Sequence, residues 1–89
     1  MQEDKVCVKL LFFAKAREVM GKHEMDVLFS PGPYDSKTLR HKVLNSCKDL
    51  MPIAESFILA LNEEYTDNMT EFSLKDKDEI AVIPPLSGG

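Results

Sequence analysis

The sequence predicts an α+β roll, a mixed sheet packed on one main helix, and three observations predict it. Apolar and polar residues alternate over 5–13, 23–29 and 79–83, the period-two pattern of strands with one buried face. Between them, 36–48 carries Leu39, Val43, Leu44 and Cys47 on a single stripe, as a helix with one buried face does. The chain has 89 residues, 44% of them apolar, enough for one compact domain and too few for two.

In the first strand Val6, Val8, Leu10 and Phe12 share the expected core face, leaving Cys7, Lys9, Leu11 and Phe13 on the other. Residues 14–20 are good helix formers and Gly21 stands where a left-handed C-cap is wanted, which predicts a short helix. Met25, Val27 and Phe29 alternate with Glu24, Asp26 and Leu28 in a second strand, hairpin-like with the first. Ser30-Pro31-Gly32-Pro33 ends that strand, because proline removes a ladder donor and glycine permits a sharp turn. Asp35 is the expected N-cap of the main helix. Pro52 marks a loop or a restart after it. The run 57–61 reads as a buried strand with Leu59 and Leu61 inward, and 62–71 as polar and irregular. In the last strand Ile80 and Val82 point inward and Ile83 outward. The long helix could form a parallel crossover, or the terminal strands could lie parallel at the centre. The pattern does not choose between these.

The composition excludes several function classes. Fifteen acidic against eleven basic residues give a net charge of −4, unlike the basic face that displaces counterions from nucleic acid. No apolar run reaches the roughly 18–20 residues of a membrane span. The opening Met1-Gln2-Glu3-Asp4-Lys5 is acidic where a secretory signal is basic, so the cytosol is the expected location. Cys7 and Cys47 are far apart and have no metal-ligand spacing; both read as buried or half-buried free thiols. His23 and His41 are isolated and read as surface residues.

The end of the chain is its most informative part. Pro84 and Pro85 stop the last strand and favour an extended path, and Leu86-Ser87-Gly88-Gly89 completes a slender arm. Gly88 and Gly89 lack side chains, so the arm fits a channel too narrow for other residues. Its carboxyl group is inert until activated. ATP can convert such a group to an acyl-adenylate, after which a sulfur nucleophile gives a thiocarboxylate and a lysine amine gives an isopeptide. A domain over 1–83 with a flexible tail over 84–89 is expected.

With these residues, Leu11-Phe12-Phe13-Ala14 followed by Arg17-Glu18 and Gly21, Leu39-Arg40, Ala60-Leu61-Asn62 and the run from Asp78 to Gly89, the chain resembles the small, sulfur-carrier subunit of molybdopterin synthase over nearly its whole length. The resemblance implies a β-grasp, ubiquitin-like fold. It implies that an E1-like activating enzyme, using ATP and magnesium, adenylates Gly89, which then becomes a thiocarboxylate (thioglycine). The tail enters the large subunit, where the terminal sulfur attacks a cyclic pterin precursor. Two loaded tails are used per molybdopterin, since its dithiolene carries two sulfurs. The complex so implied is a heterotetramer of two small and two large subunits. The small subunit binds no permanent cofactor, nucleic acid or membrane. It is a carrier rather than an enzyme, with the catalytic groups on its partner.

The resemblance also places an interface patch on Phe13, Tyr65 and Ile83, with Pro84, Pro85, Leu86 and Ser87 leading to the reactive end. The alternation independently puts Phe13 and Ile83 on the outward face. Relatives often carry leucine at the Tyr65 position, and an apolar residue at the position of Ser36. Asp76, Asp78 and Glu79 are expected either to meet basic groups on a partner or to form a solvated loop. The alternatives are a ubiquitin-like modifier conjugated through Gly89, the related sulfur carrier of thiazole biosynthesis, and a plain interaction domain with an incidental Gly-Gly. The thiazole carrier is usually shorter and lacks the double-proline, Ser-Gly-Gly ending.

Overall fold

A computed structural model describes residues 4–85. Strand β1 (Val6–Phe12) leads through helix α1 (Ala14–Met20) to β2 (Glu24–Phe29), and helix α2 (Ser36–Ser46) leads to β3 (Ile58–Leu61), β4 (Glu64–Tyr65) and β5 (Glu79–Ile83). The five strands form one sheet in the order β2-β1-β5-β3-β4. The terminal strands β1 and β5 lie parallel at its centre, while β2 pairs antiparallel with β1, and β3 antiparallel with β5. That pairing settles the arrangement the alternation leaves open, and it makes the architecture the expected β-grasp roll.

One face of the sheet makes the core. Val8, Leu10, Phe12, Leu59, Leu61, Ile80 and Val82 pack with Leu39, Val43 and Cys47 of the main helix and its C-cap. These are the inward positions that the alternation predicts. Helix α1 ends where Gly21 takes a left-handed φ of 71° and its N–H donates to the Arg17 carbonyl, a conformation that carries no Cβ penalty in glycine. Helix α2 opens with a capping box: Asp35 accepts from the Thr38 N–H at 2.8 Å, and the Thr38 hydroxyl accepts from the Asp35 N–H at 2.9 Å. The Thr38 hydroxyl, then its N–H, hold the Asp35 carboxyl below its ordinary pKa. Gly32 has φ 119°, and a Cβ there would meet the Tyr34 ring at 2.9 Å, so the turn before α2 requires glycine.

The structure departs from these expectations in the stretch 62–71 and at Cys7. After α2 the chain restarts in a 3₁₀ segment, Lys48–Ile53, that contains Pro52, one of the two outcomes expected there. The stretch 62–71 is not wholly irregular, since it contains β4 and a short 3₁₀ segment at Thr66–Asn68. Two residues are too few for periodicity to reveal. Here the strand exists because Asn62 and Glu63, at φ 50° and 75°, form a tight two-residue turn back from β3. Cys47 is buried as expected, but Cys7 is exposed, because it falls on the outward face of β1. Both histidines are exposed. Ser36 is accommodated by polar partners, its hydroxyl lying 2.9 Å from that of buried Thr66 and donating to Asp67 at 2.7 Å. Arg40 ties α2 to the following loop, donating to the Ala54 carbonyl at 2.9 Å with its guanidinium 4.5 Å from the Phe57 ring centre. Among the described residues no helix is long and apolar enough to cross a membrane.

Candidate functional site

The sheet face opposite the core carries the candidate site. Residues directly opposite on paired strands share a face. The register therefore lines up Tyr65, Ala60, Ala81 and Leu11 across four strands, with Ile58 and Ile83 in the next row towards the tail. Phe13 follows β1 at that same end, and its N–H donates to the Val82 carbonyl at 3.2 Å. These side chains surround a depression of about 320 Å³ lined by Leu11, Phe13, Ala60, Glu63, Tyr65, Glu79, Ala81 and Ile83. The two alanines make its floor low, and the larger side chains stand around it. Phe13 is 41% exposed and Tyr65 50%, which is apolar surface that folding itself does not use.

The structure thus brings together all three residues of the expected patch, Phe13, Tyr65 and Ile83. Leu11, Ala60, Ala81 and Glu63 are further members. Outward alternation could have marked Leu11, Ala60 and Ala81, whereas Glu63 depends on a turn that periodicity does not reveal. Pro84 is buried and Pro85 exposed, and both line a cleft with Lys15, Ile53 and Ser56. Pro84 and Pro85 therefore form a packed base directly after Ile83, which lines the depression. Leu86, Ser87, Gly88 and Gly89 lie outside the described residues.

One network holds the turn at the edge of the depression. The Asn62 side chain donates to the Asp78 carboxylate at 3.0 Å and accepts from the Glu79 N–H at 2.9 Å, while the Asn62 N–H donates to the Glu79 carbonyl at 2.8 Å. Asp78 also accepts from the Lys75 N–H at 2.9 Å. Burial by itself would raise the Asp78 carboxyl, but the Asn62 amide, the Lys75 N–H and the Lys75 ammonium outweigh it and leave the pKa below its ordinary value. Asp78 is 5% exposed, so it is a structural anchor, neither a partner contact nor part of a solvated loop. Asp76 accepts from the Cys7 N–H at 2.7 Å and closes the loop onto β1. Of the three acidic residues singled out in the sequence, Glu79 alone faces the depression. Lys9, beside it, bonds to Glu24 at 3.0 Å. That hydrogen bond first, then the charges of Glu24, Asp26 and Glu79, push the lysine pKa up.

The sequence profile of the ThiS family matches residues 10–89. The chain belongs to the ThiS family. This ThiS-family chain is 42% identical over 91 aligned positions to a protein of Aedes aegypti named molybdopterin synthase sulfur carrier subunit, covering 98% of this chain and 93% of that one. Its fold matches a chain in a complex of subunits 1 and 2 of the molybdopterin-converting factor from Helicobacter pylori, at TM-score 0.62 and 27% identity, over 94% of this chain and all of the other. It also matches the small archaeal modifier protein 1 of Methanosarcina acetivorans at TM-score 0.72 and 24% identity, over 97% and 99% of the two chains. This last likeness concerns the fold alone. The family assignment agrees with the resemblance carried by the sequence motifs, and the ThiS profile extends through Gly89.

Proposed function

We propose that this chain is a sulfur carrier for molybdopterin biosynthesis and works through the carboxyl group of Gly89. The observation that carries this reading is the near full-length similarity to a protein named for that role, within a family whose profile runs to the last glycine. An E1-like enzyme adenylates the Gly89 carboxylate with ATP, releasing pyrophosphate. The outer sulfur of a persulfide then displaces AMP to form an acyl disulfide, and a thiol cleaves its S–S bond, leaving a new disulfide and the thiocarboxylate. That group is anionic at neutral pH and a stronger nucleophile than the carboxylate it replaces.

The outer-face depression docks the large subunit, and the base of the tail at Pro84 and Pro85 aims Leu86, Ser87, Gly88 and Gly89 into the partner's site. The similarity to a chain solved in a complex of subunits 1 and 2 of the molybdopterin-converting factor supports such a partner. The chain binds no cofactor of its own, works in the cytosol, and leaves the catalytic groups to the large subunit, two copies of each forming the synthase.

Intact mass before and after incubation with ATP, the activating enzyme and a persulfide donor tests the reading. The expected result is a gain equal to one oxygen replaced by sulfur, located on the C-terminal peptide. Lysine-linked conjugates without that gain would favour a protein modifier instead. A chain extended by one residue beyond Gly89 should accept no sulfur, since the activated carboxyl would no longer be glycine's; loading of the extended chain would refute the role of Gly89.

A further inference from the structure

Glu63 is held in a conformation its side chain disfavours. At φ 75° it occupies the left-handed region, which strains an L-residue with a Cβ and glycine hardly at all. Its neighbour Asn62 shares that region, but asparagine tolerates it and here earns two hydrogen bonds through its side chain. Among the described residues Glu63 has no ion pair. Folding therefore gives no reason for a glutamate at the second position of this turn. Glu63 instead lines the apolar depression.

The charge around that depression has one sign. Its lining includes Glu63 and Glu79 and no basic residue. Lys9, the lysine opposite Glu79 in the register, is committed to Glu24 and Asp26. An apolar hollow with carboxylates on one side suits an apolar side chain flanked by a lysine or arginine, and disfavours an acidic neighbour at the same place.

We propose that Glu63 is a specificity-determining residue of the docking surface, selecting a large-subunit segment that sets a basic side chain beside the apolar group entering the Ala60–Ala81 hollow. The inference rests on the proposed function for the identity of the partner. The strain at Glu63 is then a stability cost retained for recognition.

The test measures Tm for wild type, E63G, E63Q and E63K, together with the affinity of each for the purified large subunit of molybdopterin synthase from the same source at two salt concentrations. E63G should melt a few degrees higher than wild type yet bind roughly three- to tenfold more weakly. E63Q should also bind more weakly and lose part of the salt dependence, and E63K should bind most weakly. Wild type that binds, with all three variants within twofold of it, would overturn the role of Glu63 and leave the proposed function standing. E63G melting below wild type would overturn the strain argument. Wild type that fails to bind the large subunit would overturn the partner itself, and with it this inference.

Discussion

Replacing Asn62 by alanine should remove about 3 kcal/mol of folding stability, although the side chain is polar and the residue exposed. Two hydrogen bonds disappear. The one donated to the Asp78 carboxylate at 3.0 Å is charge-assisted and contributes about 1.5–3 kcal/mol, and the one accepted from the Glu79 N–H at 2.9 Å contributes about 1 kcal/mol. Asp78 keeps the Lys75 N–H, so the first contribution falls at the lower end. Alanine also tolerates φ 50° less well than asparagine. For a domain of this size about 3 kcal/mol corresponds to a fall in Tm of roughly 12–24 °C. Thermal unfolding followed by circular dichroism, with Asn62→Gly alongside, separates the contributions. Glycine relieves the left-handed backbone but restores neither hydrogen bond, so it should recover only a small part of the loss. An Asn62→Ala protein melting within about 4 °C of wild type would refute the idea that this side chain clamps the β3–β4 turn to β5.

Phe13→Ala should weaken association with the large subunit by tenfold or more while costing about 1–2 kcal/mol of folding stability, because the residue is only partly buried; titration calorimetry and chemical denaturation of the same preparation check both halves. The depressed Asp78 carboxyl binds its proton less readily in the folded chain than in the unfolded one. Its contribution is therefore present above the ordinary carboxylate range and is lost as pH falls through the lower folded pKa. Denaturation midpoints measured from neutral to acid pH should fall less steeply for Asp78→Asn than for wild type, from a lower starting stability, and parallel curves would show that Asp78 contributes no such linkage.

Much of the site was legible in the chain because its causes are local. Alternation along β1 and β5 sends Phe13 and Ile83 outward, since successive side chains in a strand point to opposite faces whatever the partner strands are. Gly21 and Asp35 end and begin their helices through contacts within a few residues, so both caps were readable too. The motif Ala60-Leu61-Asn62 could be matched to relatives but not explained. Its reason is that Asn62 reaches Asp78 and Glu79 across the fold.

The sequence by itself determined which face of each long strand is buried, where the short helix starts and stops, and where the main helix starts. Only the tertiary structure decided that β1 and β5 lie side by side in parallel, that Ala60 and Ala81 meet beneath Phe13, Tyr65 and Ile83, that Asp78 is an internal anchor, and that Glu63 turns onto the rim of the depression. The physical reason is the range of the interactions. Alternation and capping act between near neighbours, whereas sheet register is set by pairing residues distant in the chain, and a hollow exists only once that pairing places small side chains next to large ones.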